Sequence, residues 1–183
     1  PTAGRGDEAE MMETAEWRAY RDRIATIAKM GAQEYGLIPE IHPHAGGFMD
    51  FEPEIERLLE EVDSDSLKIC IDTGHCTYAG FDPVAFMKRH SDRITYVHFK
   101  STDAAIKAQA IANRTGFYEA CGQGIFCNLS EGEVDFPAVR EHLLDIGFSG
   151  WCTIEQDCDP TLDPDPLGDA RKNREYLETI GFQ

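Results

Sequence analysis

The sequence is poor in positive charge and has no long apolar run. Of its 183 residues, 17 are Lys or Arg and 34 are Asp or Glu, which gives a formal net charge of −17. Such an excess repels phosphate groups, so we expect neither a nucleic acid nor an anionic membrane surface as a partner. No apolar run reaches the roughly 18 residues typical of a transmembrane helix, so none is predicted.

Cysteine motifs are also absent, although the chain contains six cysteines. No C-x-x-C pair occurs, so neither a zinc knuckle nor a thioredoxin-type motif is indicated. Cys70 and Cys152 lie in strand-like runs, where a thiol behaves as a small apolar group. The opening PTAGRGDEAE lacks the apolar core of a signal peptide. We therefore expect reduced cysteines and a cytoplasmic protein.

Nucleotide-binding signatures are missing as well, since no G-x-G-x-x-G follows a strand and no P-loop occurs. The chain instead alternates helical and strand-like periodicity. Helices are predicted over 13–35, 51–62, 82–90, 103–112, 135–148 and 168–182, and strands over 36–44, 67–72, 94–100 and 151–157. Loops are predicted over 1–12, 116–133 and 159–166.

This alternation predicts parallel strands joined by helical crossovers. A complete eight-stranded β/α barrel usually needs about 250 residues. We therefore expect an α/β fold of the (β/α) TIM-barrel type in which residues 1–183 form a single domain. That domain would be the C-terminal half of a barrel, with about four parallel strands and flanking helices. Its two open sheet edges would be covered in a homo-oligomer or by another half-barrel.

Polar side chains collect near the C-terminal end of every predicted strand. Side chains alternate across a strand, so residues two apart share a face. In each strand one face becomes polar, while the other carries apolar residues such as Ile69, Ile71, Val97 and Phe99. The polar set is His42, His44, Asp72, His98, Lys100, Glu155 and Asp157. Because these strand ends form the active-site face of β/α folds, the set predicts a functional site.

The donors in this set suit a divalent metal. Carboxylate and imidazole ligation without thiolate fits Mn²⁺, Co²⁺ or Zn²⁺, and Mg²⁺ remains open. A lone His in a strand is more often a core residue, and an Asp before Thr-Gly is more often a turn former. Their coincidence at four strand ends is what favours a metal site, where the ion would act as a Lewis acid.

Four stretches carry a resemblance to a known family. They are HPHAGGFMDFEPEIERLL, IDTGHCTYAGFDPVAFMKRHSDRITYVHFK, GFYEACGQGIFCNLSEGE and GEVDFPAVREHLLDIGFSGWCTIEQDCDP. From Trp17 to Asp159 the chain resembles the xylose isomerase-like TIM-barrel superfamily of sugar isomerases, epimerases and dehydratases. Within it, the chain looks most like the inosose (2-keto-myo-inositol) dehydratase-like proteins.

The resemblance implies a divalent metal held by ligands from the last four strands, typically Glu, Asp, His and Glu. Asp72 in IDTGH, His98 in YVHFK and Glu155 in TIEQD match three of these ligands. The Glu of the first of these strands is replaced. Parity favours His42 as the fourth ligand, and Asp50 is the alternative.

The resemblance also implies a metal-dependent dehydratase, a lyase of inositol catabolism, acting through an enediolate on a cyclic or linear polyhydroxy ketone. Glu155 is the first candidate for the general base and His44 the second. His75 resembles a histidine that contacts substrate hydroxyls. Lys100 or His75 would assist the departure of a β-hydroxyl, and His44, His75 and Lys100 would contact the small sugar or cyclitol.

Other functions remain open at this point. A sugar isomerase or epimerase would use the same enediolate. A non-catalytic fragment or sugar-binding remnant would keep the fold without the activity. An apurinic-site endonuclease shares the barrel but needs a basic groove, which the acidic composition disfavours.

Overall fold

A computed structural model describes residues 11–159, 161 and 165–182 of the protein. Its helices are α1 (Thr14–Tyr35), α2 (Glu52–Glu61), α3 (Thr73–Tyr78), α4 (Pro83–Arg89), α5 (Ala104–Asn113), α6 (Phe117–Gly122), α7 (Phe136–Asp145) and α8 (Pro166–Thr179). Its strands are β1 (Glu40–Ile41), β2 (Lys68–Asp72), β3 (Ile94–Phe99), β4 (Ser101–Thr102), β5 (Phe126–Cys127) and β6 (Trp151–Ile154). Within the described part of the chain, no helix has the length and apolar character needed to cross a membrane.

A four-stranded parallel sheet with the order β1-β2-β3-β6 forms the centre of the fold. Its strands follow one another in chain order and are connected through helical segments, which confirms the predicted α/β class. Asp72 pairs with His98 across β2 and β3, and His98 pairs with Thr153 across β3 and β6. This register brings the polar C-terminal strand ends side by side.

The apolar face of the sheet packs against α2, α4, α7 and α8. Ile69, Ile71 and Val97 have no exposed surface, and Phe86 and Phe136 belong to the same core. Burying one such side chain contributes about 1.5–3 kcal/mol. The predicted assignment of strand faces is therefore correct for β2 and β3, and the opposite face is left for the polar residues.

Local signals set several helix ends as predicted. The Asp82 carboxylate accepts a hydrogen bond from the backbone N–H of Val84 at 2.8 Å, and a proline begins α4. Asp135 caps α7 through the N–H of Ala138 at 3.0 Å. Gly36 ends α1 with φ of 63°, a left-handed conformation that glycine adopts without strain.

Three predictions of local structure are wrong. The strand expected over 36–44 shrinks to β1, because Pro39 and Pro43 lack the N–H that a strand ladder needs. The loop expected over 116–133 contains α6 and β5, and β5 pairs with β4 in a small antiparallel sheet. Residues 73–78, for which no element was predicted, form α3.

Two predicted loops fall partly outside the described residues. These are residues 1–10 of the first loop and residues 160 and 162–164 of the Pro/Asp loop. The final helix begins at Pro166, two residues before its predicted start.

Candidate metal centre

The register of β2 and β3 brings Asp72 and His98 together. Nδ1 of His98 lies 3.7 Å from Oδ2 of Asp72. Asp72 is buried, and its other oxygen, Oδ1, accepts a hydrogen bond from the backbone N–H of His75 at 2.8 Å. This bond caps α3, so the carboxylate is held with Oδ2 directed at the neighbouring strand end.

His42 and Glu155 complete a group drawn from the ends of all four strands. Nε2 of His42 lies 3.9 Å from Oδ2 of Asp72. The backbone N–H of Glu155 donates to the carbonyl of Phe99 at 3.0 Å, which continues the β3–β6 pairing. Oε2 of Glu155 lies 2.5 Å from Nδ1 of His98. The four ligand-type atoms lie within 4.8 Å of one another.

Each residue of this group turns a buried polar atom towards the others. His42 Nε2, Asp72 Oδ2, His98 Nδ1 and Glu155 Oε2 have no well-aligned hydrogen-bond partner. A buried polar atom without a good hydrogen bond costs about 1–3 kcal/mol. These four atoms face one another and Lys100, so a cation between them would satisfy all four together. Two imidazole nitrogens and two carboxylate oxygens fit Mn²⁺, Co²⁺ or Zn²⁺ better than Mg²⁺, which prefers oxygen.

The electrostatics of the group favour a positive charge between the carboxylates. Contact with Asp72, followed by Cys70 and Glu155, raises the pKa of His98 to about 12. Contact with His98 lowers the pKa of Glu155 to about 2. Burial by itself raises the pKa of Asp72, but His42, His98 and nearby positive charges hold it well below its usual value. Both carboxylates are therefore ionised at neutral pH.

Lys100 places a buried ammonium beside these atoms. Its Nζ lies 3.3 Å from Oδ2 of Asp72 and 3.3 Å from Oε1 of Glu155. It donates a hydrogen bond to Oδ2 of Asp157 at 2.8 Å. Burial lowers the pKa of Lys100, but the three carboxylates outweigh this effect and the pKa is raised. The side chain is therefore a fixed positive charge.

The Thr73-Gly74 pair makes room for this lysine. A Cβ at Gly74 would lie 2.4 Å from Cγ and 2.7 Å from Cβ of Lys100, closer than carbon atoms approach. The Thr73 hydroxyl donates to the Lys100 carbonyl at 2.7 Å. Asp72 followed by Thr-Gly therefore caps α3 and leaves space for the alkyl stem of Lys100.

His44, His75 and Phe117 form an aromatic wall next to Lys100. The His44 and His75 ring centroids are 3.9 Å apart, and Phe117 lies 5.2 Å and 5.8 Å from them. Burial lowers the pKa of His75 to about 3, and its Nε2 lies 3.1 Å from Lys100 Nζ. Nδ1 of His44 lies 2.8 Å from the Ala45 carbonyl oxygen. Because a carbonyl only accepts, the neutral tautomer of His44 that fits this contact has its proton on Nδ1 and its lone pair on Nε2.

The structure thus sorts the predicted site residues into two adjoining sets. The first is His42, Asp72, His98 and Glu155, and the second is His44, His75, Lys100 and Asp157. Asp50, the alternative fourth ligand, belongs to neither set. Its Oδ2 accepts a hydrogen bond from the N–H of Gly46 at 2.9 Å within the turn after β1.

Two neighbours of the site were not assigned to it from the sequence. Cys70 lies within ligand distance of His42 and His98, although its place in a strand predicted only an apolar role. Phe117 lies in the segment predicted as a loop. Its sequence neighbourhood, GFYEA, gives no clear signal, because the adjacent aromatic residue Tyr118 is exposed while Phe117 is buried.

Comparison with known proteins gives consistent matches. A family model described as xylose isomerase-like TIM barrel matches residues 1–180. The rhizopine catabolism protein MocC of Rhizobium meliloti is 33% identical over 162 residues, covering 88% of this chain and 49% of that protein. An inosose dehydratase of Geobacillus kaustophilus is 30% identical over 171 residues, covering 93% and 55%. The chain therefore spans about half the length of these curated relatives.

Solved structures share the fold. A probable 3-DHS dehydratase from Bacillus anthracis matches with a TM-score of 0.73 and 21% identity, over 97% of this chain and 61% of that one. An L-ribulose 3-epimerase matches with a TM-score of 0.68 and 17% identity, over 96% and 57%. These likenesses confirm the TIM-barrel type of fold.

Proposed function

We propose that this chain, which belongs to the xylose isomerase-like TIM barrel family, contributes the metal centre of a dehydratase acting on an inosose-like polyhydroxy ketone. The observation that carries the proposal is the group of four buried candidate ligand atoms at four parallel strand ends, none of which has a well-aligned hydrogen bond. The relatives named inosose dehydratase support the substrate class.

The ligands of the proposed metal are His42, Asp72, His98 and Glu155. A divalent cation bound there would act as a Lewis acid towards the carbonyl oxygen and a neighbouring hydroxyl of the substrate. The four residues lie at the ends of paired strands, so the hydrogen-bonded sheet holds their positions rigidly.

His44 is the better prepared of the two predicted bases. Its Nε2 keeps a lone pair, because Nδ1 donates to the Ala45 carbonyl. Glu155 has a pKa of about 2, and its Oε2 is directed at His98, so it is a weak base. In this proposal Glu155 is a ligand, and His44 removes the proton from the carbon next to the carbonyl.

Lys100 acts on the leaving group. As His44 takes the α-proton, the electrons of the broken C–H bond form a C=C bond and the β C–O bond breaks. The hydroxyl leaves as water with a proton from the Lys100 ammonium, which is charged and buried at the site. Neutral His75, whose Nε2 lies 3.1 Å from Lys100 Nζ, positions the ammonium for this step.

An epimerase or isomerase of the same superfamily is the second candidate. Two groups with a lone pair, Glu155 within the four-residue group and His44 in the adjoining group, lie close to the bound substrate in this alternative. One could remove a proton and the other could return it, which needs no loss of hydroxide. Analysis of the product separates this reaction from dehydration.

The test is metal content by elemental analysis together with turnover of 2-keto-myo-inositol in added Mn²⁺. We expect about one ion per wild-type chain. Asp72→Asn keeps the shape and the Oδ1 cap, yet it should weaken metal binding by more than the roughly 10–100-fold that loss of an outer partner causes. Asp145→Asn, which alters an exposed carboxylate in α7, serves as the control. A folded wild type that takes up no metal, or an Asp72→Asn variant with unchanged affinity, contradicts the proposal.

A further inference from the structure

The Lys100 ammonium lies in a cage of acceptors. Asp157 Oδ2 lies 2.8 Å away, His75 Nε2 3.1 Å, and Asp72 Oδ2 and Glu155 Oε1 3.3 Å each. The side chain has no exposed surface. Three carboxylates and one imidazole around a single positive charge is the environment usually built for a metal ion.

The cage overlaps with a second group of candidate metal ligands, because His75 and Asp157 belong to both. One ligand atom from each of His44, His75 and Asp157 lies within 4.8 Å of the others. This group shares no residue with the four-residue group, but Lys100 connects the two. Its Nζ contacts Asp157 and His75 on one side and Asp72 and Glu155 on the other.

We propose that the Lys100 ammonium stands in the place of a second divalent cation and thereby restricts the centre to one metal ion. The inference rests on the metal site of the proposed function. An ammonium is a compact point charge whose three N–H groups donate to the lone pairs that a metal would otherwise take. It also repels a further cation, because little solvent screens charges at a buried position.

This arrangement suits the proposed reaction. A second metal ion would neutralise the carboxylates but has no proton to give. A lysine in the same place neutralises them and can also protonate a departing hydroxyl. The Lys100 position thus adapts a two-cation site to a reaction that releases water.

The fold allows the idea to be tested, because removal of the side chain opens the cage. Lys100→Ala deletes the ammonium and the alkyl stem that passes Gly74, and it releases His75 and Asp157, which contact the ammonium and form a group of candidate ligands with His44. If Lys100 is only an ion-pair partner, the vacated space gains no metal affinity.

The experiment is titration with Mn²⁺ by calorimetry, followed by elemental analysis, on wild type, Lys100→Ala and the double variant Lys100→Ala/Asp157→Asn. We expect about one ion, two ions and one ion respectively. Lys100→Gln, an uncharged side chain that keeps part of the stem, replaces Lys100→Ala if circular dichroism shows that the alanine variant is unfolded.

Each possible metal stoichiometry either supports or overturns the inference. Two ions in wild type, or one ion in wild type and in the folded Lys100 variant, overturns the inference and leaves the metal centre in place. A second ion that persists in the double variant lies elsewhere and also overturns it. No metal in wild type removes the metal centre of the proposed function, and the inference with it.

Discussion

Asp72 divides the two oxygens of its carboxylate between two tasks. Oδ1 caps α3 through the backbone N–H of His75, and Oδ2 faces His42 and His98. An aspartate is short enough to cap a helix that begins at the next residue. The same residue therefore supplies a candidate ligand atom and caps the helix that carries His75, which links the two sets of site residues.

The close approach of Gly74 to Lys100 leads to a prediction for a single residue. Gly74→Ala would place a methyl group 2.4 Å from Cγ of Lys100, and overpacking of this kind costs about 1–3 kcal/mol. We expect a lower melting temperature and a loss of turnover, because the ammonium must shift. Thermal unfolding and steady-state kinetics measure the two effects.

Gly122→Ala is the matched control for this prediction. Gly122 lies in α6, and a Cβ there meets no atom within 4 Å. Since alanine has the higher helix propensity, this variant should be as stable as wild type or slightly more stable. Equal melting temperatures for the Gly74 and Gly122 variants would show that the Lys100 side chain is not tightly packed against Gly74.

Among the secondary-structure elements, the short helices α3 and α6 depend on their surroundings. Each has six residues, and helices of that length are unstable alone. All six residues of α3 are buried, and α6 buries Phe117 and Ala120. These helices therefore depend on tertiary packing. In turn, α3 supplies His75 and α6 supplies Phe117 to the wall that these residues form with His44.

A prediction for the short helix α6 concerns Phe117. Phe117→Ala should destabilise the chain by about 3–5 kcal/mol, because it removes a buried ring from the cluster around Tyr78 and Phe126. We also expect KM to rise while the metal stoichiometry stays unchanged. The reason is that Phe117 reaches the four-residue group only through His44 and His75. Chemical denaturation and kinetics test this.

Tyr118→Ala is the control, because the adjacent ring is 88% exposed. Its free energy of unfolding should change by no more than about 0.5 kcal/mol. A Phe117 variant that behaves like the Tyr118 variant would mean that α6 does not support the wall.

For the whole molecule, the main feature is the pair of open sheet edges. β1 and β6 are the edge strands of the four-stranded sheet, and neither has a further partner among the described residues. Large apolar side chains lie exposed near both edges: Leu37 at 62% and Ile38 at 67% before β1, and Trp151 at 81% in β6. Such edges promote association with another chain or segment.

We therefore predict that the 183-residue chain, when expressed by itself, self-associates through these edges. Trp151→Lys should weaken this association about tenfold or more, the usual effect of losing an aromatic anchor. Light scattering across a concentration series provides the measurement. Tyr118→Lys, equally exposed but remote from the sheet edges in sequence, should leave the association unchanged. A wild-type chain that stays monomeric throughout the series would contradict the prediction.

Much of the fold could be predicted from local patterns. The Asp caps of α4 and α7, each with a proline in the first turn, and the glycine at the end of α1 act through neighbouring backbone atoms. They can therefore be recognised in the sequence. The alternation of β2 and β3 separated Ile69 and Val97 from Asp72 and His98, because a strand has a strict period of two. The assignment of His42, Asp72, His98 and Glu155 as ligands stays a prediction for metal analysis to test.

The sequence by itself determined the alternation of elements, the face on which each strand is polar, and the kinds of donor atom at each strand end. Only the tertiary structure decided that α3 and α6 form and that Asp50 lies apart from the four ligand atoms. It alone also decided that the ammonium of Lys100 lies among three carboxylates. The physical reason is the sequence separation over which each interaction acts. Strand periodicity and helix caps act between residues close in sequence, whereas the burial of a short helix or a lysine depends on side chains far along the chain.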